Sequence, residues 1–167
     1  AVDRLVKFNV PAFKIGSGEC NNYPLIEYIC KFKKPVILST GMNSLLEISK
    51  AVSILKKNKI NFALNHCTNI YPADYNDARL NFINVLKKKF PNTLIGLSDH
   101  SKDSLIALAS ISMGVSLVER HYVDSKKRKG PDISSSMDFN ELRDLIVKTK
   151  NIFDALKDKK KILLKEK

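Results

Sequence analysis

Val36-Ile37-Leu38-Ser39-Thr40-Gly41-Met42-Asn43 decides how this 167-residue chain is read. Four residues opening on three β-formers predict a short buried strand. Thr40-Gly41-Met42 supplies a turn, and Asn43 stands where a helix cap is expected. Behind it Leu45, Ile48, Ala51, Ile54 and Leu55 recur at helical spacing, giving one face to bury. A strand that ends on hydroxyls and passes through a tight turn into an amphipathic helix is a βα unit.

The same unit recurs on both sides. Phe13 to Gly16 reads as a strand followed by a helix from Tyr23 to Lys34, and Val2 to Lys7 resembles the tail of a preceding helix. Asn61 to Cys67 is a third strand, with a longer loop through Pro72 and a helix from about Asp77 to Phe90. Leu94 to His100 is a fourth, with Asp103 capping a helix from Ser104 to Met113. Ser116 to Val123 is a fifth, followed by a Gly-Pro loop and a helix from about Asp138 to Leu156. Strict alternation calls for a parallel sheet covered by helices.

Every strand finishes on polar side chains: Lys14 and Ser17; Ser39 and Thr40; His66 to Asn69; Ser98 to His100; Glu119 to His121. An open doubly wound sheet gathers its ligand residues at one switch point, whereas a (β/α)8 TIM-type barrel collects them from every strand end at its mouth. The pattern predicts the barrel, and five of its eight strands, as one partial domain over residues 1–167. The chain is expected to be a fragment.

Bulk composition narrows the function. The net charge of +12 lies largely in surface-type runs, Lys87 to Lys89, Lys126 to Lys129 and Lys157 to Lys161, without the aromatic platform or recognition helix of a nucleic-acid binder. No nucleic-acid partner is expected. The longest apolar run, Leu105 to Val118, is interrupted by Ser110 and Ser112 and falls short of a span, so no membrane partner is expected either. Cys20, Cys30 and Cys67 form no disulfide or zinc pattern, which suits a reducing compartment and points to the cytoplasm.

Strand alternation puts Gly96, Ser98 and His100 on one face, and Glu119 and His121 together on the next strand. Two imidazoles then meet at similar height, an arrangement that suits a divalent metal with open positions for oxygen ligands, or two hydrogen-bonded core histidines. Lys14, inside an apolar strand, calls for an anion or a carboxylate. Ser17, Ser39, Ser98 and Asn69 add neutral donors suited to phosphate or carboxylate, although each serine also serves as a turn or cap residue. Glu19 reads equally as a general acid/base, a sugar ligand or a loop carboxylate. His66 and Cys67 point to opposite faces, which argues against a nucleophile–base pair and leaves both as packing residues.

The string Phe13-Lys14-Ile15-Gly16-Ser17-Gly18-Glu19-Cys20-Asn21-Asn22 resembles the sialic acid synthase family. The likeness continues through Leu38 to Asn43, His66 to Pro72, Gly96 to His100, Glu119-Arg120-His121 and Gly130-Pro131-Asp132, in family order. It implies condensation of phosphoenolpyruvate with an N-acetylated amino sugar, N-acetylmannosamine or a 6-deoxy relative. The product would be a nine-carbon 2-keto sugar plus phosphate. By resemblance, Lys14 and Ser39 would hold the phosphoenolpyruvate carboxylate, and Ser17, Asn69 and Ser98 its phosphate. Glu19, Tyr71 and Asp132 would face the sugar, with Glu19, His100 and His121 as the catalytic set. His100 and His121 would bind the metal, typically Mn2+, with Mg2+ or Co2+ as substitutes. The resemblance also implies a homodimer for the full-length enzyme.

Two departures stand out. Lys127-Arg128-Lys129 occupies a loop where the family commonly has an acidic residue and then Arg-Pro. The resemblance makes these five strands the fourth to the eighth. The family's first three strands, which supply a further lysine and an acidic residue to the site, and its C-terminal antifreeze-like domain have no counterpart in these residues, so the chain is expected to be inactive or weak alone. Legionaminic acid synthases share the motifs, and pseudaminic acid synthases are a more distant option. A non-catalytic anion- or sugar-binding remnant, or a scaffold partner of a complete synthase, is the alternative expectation.

Overall fold

The structure, a computed structural model, describes residues 1–157. Helix α1 (Val2–Lys7) precedes β1 (Phe13–Ile15). Then α2 (Tyr23–Cys30), β2 (Val36–Ser39), α3 (Leu45–Lys57), β3 (Phe62–Cys67), α4 (Asn81–Lys89), β4 (Leu94–Asp99), α5 (Leu105–Ser112), β5 (Val118–Arg120) and α6 (Phe139–Leu156) follow in strict alternation. The strands form one parallel sheet in sequence order, β1 to β5. The basic run from Lys157 to Lys161 lies outside the described residues except for Lys157, which pairs with Asp154.

Alternation along the strands sorts the side chains. Phe13, Ile15, Val36, Leu38, Leu64 and Ile95 face the helices and pack with Ile26 and Ile29 of α2, Ile48, Val52 and Leu55 of α3, and Ile83 and Leu86 of α4. Each such side chain removed from water contributes about 1.5–3 kcal/mol before chain entropy is set against it, so this outer layer is the fold's principal core. The opposite face carries Lys14, Ser39, Asn65, Cys67, Ser98 and Glu119, and these enclose the polar site.

The sheet is curled into a half-barrel. Lys14 Nζ of β1 lies 2.8 Å from Glu119 Oε1 of β5, although the two strands are the edges of the sheet. In a flat sheet they would stand about 19 Å apart, beyond the reach of two side chains. In an eight-stranded barrel, strands four places apart face each other across the lumen.

Boundaries follow local chemistry. Helix α2 ends at Cys30 rather than Lys34, because the chain turns toward Pro35 through Lys33 at φ 56°. Helix α4 begins at Asn81 rather than Asp77: Tyr75–Asp77 forms a separate 3₁₀ turn, and Arg79, at φ 44°, breaks the helical path. The cap of α3 is Ser44, not Asn43. Ser44 and Glu47 form a reciprocal capping box, while the Asn43 amide turns inward and donates to Ser17 O (2.8 Å) and Gly41 O (2.6 Å). The N-cap position of α5 is Ser104, whose side chain makes no cap bond; Asp103, the expected cap, lies one residue earlier and accepts from Leu105 N at 2.9 Å.

Candidate active site

The interior ends of β1, β3, β4 and β5 converge on one carboxylate. Glu119 Oε1 accepts from Lys14 Nζ (2.8 Å) and Ser98 Oγ (3.3 Å), and its Oε2 accepts from Asn65 Nδ2 (3.2 Å). Lys14 therefore meets a carboxylate of this chain. It is also more than a third exposed rather than buried, because the inner face of β1 opens on the half-barrel's lumen. Ser39 Oγ is buried with no hydrogen-bond partner, an orphaned group on the same inner face.

A second cluster forms where β1, β2 and β3 pass into their loops. Ser17 Oγ accepts from Gly41 N (3.1 Å), and Asn69 Oδ1 accepts from Cys67 Sγ (3.5 Å). A Cβ on Gly41 would lie 2.0 Å from Asn69 Oδ1 and 2.7 Å from Cys67 O, so only glycine lets the two loops approach this closely. The structure thus joins Ser17 to Asn69 through Gly41, and Ser98 to Lys14 through Glu119.

The two histidines meet edge to face. Their ring centroids are 5.1 Å apart, and the Tyr71 ring covers both, at 4.1 Å from His100 and 5.6 Å from His121. His100 Nδ1 lies 2.9 Å from Thr68 O. A carbonyl can only accept, so Nδ1 carries the proton and Nε2 keeps the lone pair. Burial, chiefly, and the neighbouring His121 hold His100 below its ordinary pKa, against the upward pull of that hydrogen bond, which favours the neutral ligating form. Asp132 Oδ2 lies 3.7 Å from His121 Nδ1, bringing a third predicted residue to the same corner. Among the described residues no group of three or more His, Cys, Asp and Glu is placed to hold a metal. The donor set is two imidazole nitrogens, which fits a divalent ion whose other ligands are oxygens from substrate or water.

Glu19 is not brought into these contacts. It sits on the exposed turn Ser17–Glu19 and accepts from Asn22 Nδ2 at 2.6 Å. His66 faces the helices, with Nε2 2.7 Å from Ala78 O and its ring against Phe82. Cys67 faces inward, 3.8 Å from His100 Nδ1, with burial raising its thiol pKa. It lines the site as well as packing.

Arg120 and Asp99 are functional neighbours that sequence reasoning missed. They form an ion pair with side chains 1% and 2% exposed, and Arg120 also donates to Ser101 O and Ser135 O. Ser135 and Ser136 in turn donate to Asp132 O, so the pair ties the ends of β4 and β5, which carry both histidines, to the loop of Asp132. The available signal was opposite charges on outward positions of adjacent strands.

The sequence profile of the NeuB family matches residues 1–161. The chain is 38% identical over 161 residues to N,N'-diacetyllegionaminic acid synthase of Campylobacter jejuni, covering 95% of this chain and 48% of that protein. It is 37% identical over 164 residues to N-acetylneuraminate-9-phosphate synthase of Mus musculus, covering 98% and 46%. The crystal structure of N-acetylneuraminic acid synthetase from Leptospira borgpetersenii superposes with a TM-score of 0.92 at 36% identity, covering 98% of this chain and 57% of that one. The chain spans about half the length of the curated relatives it matches.

Proposed function

The chain belongs to the NeuB family, and on that premise we propose that its half-barrel is the catalytic part of a nonulosonic acid synthase. It joins phosphoenolpyruvate to an N-acetylated amino sugar, N-acetylmannosamine or a 6-deoxy relative, giving a nine-carbon 2-keto sugar and phosphate. The observation that supports this reading is the meeting at one mouth of the His100–His121 corner with Lys14 and Ser98, which share the Glu119 carboxylate.

Lys14 and Ser39 hold the carboxylate of phosphoenolpyruvate, the orphaned Ser39 hydroxyl gaining an acceptor when it binds. Ser17, Asn69 and Ser98 take its phosphate. Tyr71 and Asp132, packed around the histidines, orient the sugar, and Glu19 on its exposed turn reaches the sugar from the rim. His100 and His121 would hold a divalent ion, manganese before magnesium or cobalt, which supplies Lewis-acid polarisation of the sugar's aldehyde oxygen. The Thr68 carbonyl fixes the ligating tautomer of His100. The reaction suits the cytoplasm, where three unpaired thiols remain reduced. The complete enzyme is a homodimer in this reading.

Calorimetry of the chain with manganese and phosphoenolpyruvate, followed by mass spectrometry of mixtures with each amino sugar, tests the proposal. Manganese binding abolished by His100→Ala and by His121→Ala, together with phosphoenolpyruvate binding and at most a weak yield of nine-carbon product from the chain alone, is the expected result. Binding of phosphoenolpyruvate without manganese binding supports the alternative of an anion-binding remnant or scaffold partner. Absence of both metal and phosphoenolpyruvate binding sinks the synthase reading.

A further inference from the structure

We propose that Glu119 is a positioning residue that competes with an incoming anion for Lys14 and Ser98. This inference rests on reading those two residues as anion-holding groups. The carboxylate occupies both of them at once, on a single oxygen, at 2.8 and 3.3 Å. Its other oxygen is held by Asn65 Nδ2 at 3.2 Å, and Asn65 is fully buried, so the carboxylate is oriented from behind. An incoming carboxylate or phosphate oxygen needs the same lysine proton and the same hydroxyl.

The electrostatics favour a displaceable contact over a permanent one. Lys14 and Glu119 are 36% and 38% exposed, in the range where ion pairs are worth about 1 kcal/mol or less. The buried Asp99–Arg120 pair on the other face of the sheet has no such freedom. Displacement leaves Glu119 on Asn65 and pushes a second negative charge toward the bound anion. The same carboxylate that keeps Lys14 and Ser98 placed before an anion arrives therefore hastens the anion's departure.

The test is titration of inorganic phosphate into the chain, its Glu119→Gln variant and its Lys14→Met variant, followed by calorimetry. Glutamine keeps the length and the Asn65 contact but removes the charge, so phosphate binding is expected to tighten about fivefold, as befits a half-exposed pair. Lys14→Met, which removes the nearby positive charge but leaves Ser17, Asn69 and Ser98, should weaken the binding. A residue with a merely structural role would not tighten binding when altered. Should Glu119→Gln not fold, Glu119→Asp, which withdraws the charge by one methylene, is expected to move affinity in the same direction. Equal or weaker phosphate binding by the folded variant overturns the proposal. Binding by none of the proteins overturns it too, and manganese titration of the same samples separates the failures. Metal binding without a phosphate response leaves the histidine site standing, whereas silence toward both removes the reading on which the inference depends.

Discussion

His66 shows how one position on a strand decides between chemistry and packing. Its imidazole faces the helices, and burial holds its pKa below the ordinary 6.5, the bond to Ala78 O offsetting this in part. The unfolded chain takes up a proton as the pH falls through 6.5, while the folded chain does not until its lower pKa is reached. The contribution of His66 to stability is thus complete above about 6.5 and is lost progressively as the pH falls from there toward the lower folded pKa. Urea midpoints measured at about pH 7.5 and about pH 5.5 should differ more for the native chain than for His66→Gln, which keeps a donor for Ala78 O but does not titrate. Equal differences would show that His66 is neutral-indifferent in the fold. The inward sense of Ser98 and His100, and the opposite senses of His66 and Cys67, were legible from alternation alone, although not that Cys67 is the one that lines the site. What alternation could not supply was which inward groups touch: Glu119 shares its strand face with His121, yet its partners lie on β1, β3 and β4.

At the scale of an element, α3 shows why the strand-to-helix turns are so exact about their residues. Ser44 Oγ accepts from Glu47 N (3.3 Å), and Glu47 answers to Ser44 N (2.8 Å) while also accepting from Asn21 Nδ2 (3.0 Å) of the neighbouring loop. These bonds, the Ser44 backbone first, hold the Glu47 carboxyl down at about 2. Removing the cap leaves helical N–H groups without acceptors, so Ser44→Ala should destabilise the chain by about 1 kcal/mol, read as a lower thermal midpoint. An unchanged midpoint would mean that water replaces the cap without cost. The strand–helix order was readable because each helix carries its own apolar face and each turn its own cap chemistry. The start of α4 was not, since Asp77 looks like an N-terminal residue, yet it closes the Tyr75–Asp77 turn, accepts from Thr68 Oγ1 through its carbonyl, and is cut off from the helix by Arg79 at φ 44°. Nor was Asn43, whose inward bonds to Ser17 and Gly41 depend on two strands meeting.

For the whole molecule, the polar mouth and the unfinished wall are consequences of the same curl. Lys14 and Glu119 meet across the lumen, but β1 and β5 each have one edge with no strand partner among the described residues. Beside β5 runs a groove of about 1150 Å³ lined by Ile111, Val118, Met137, Leu145, Ile146 and Phe153. Its α6 wall leaves Ile146 and Phe153 about 61% exposed. Unpaired strand edges beside exposed apolar surface favour association. The isolated chain should therefore sediment as dimers or larger species whose proportion rises with concentration. Ile146→Asp and Phe153→Asp, on exposed helix positions that the outer core does not use, should shift it toward monomer without lowering the thermal midpoint. If the double variant associates as before, the contact runs through the strand edges instead. A concentration-independent monomer in the unaltered chain would show that the half-barrel is self-sufficient, and the reading of this wall as an unfinished one would fall.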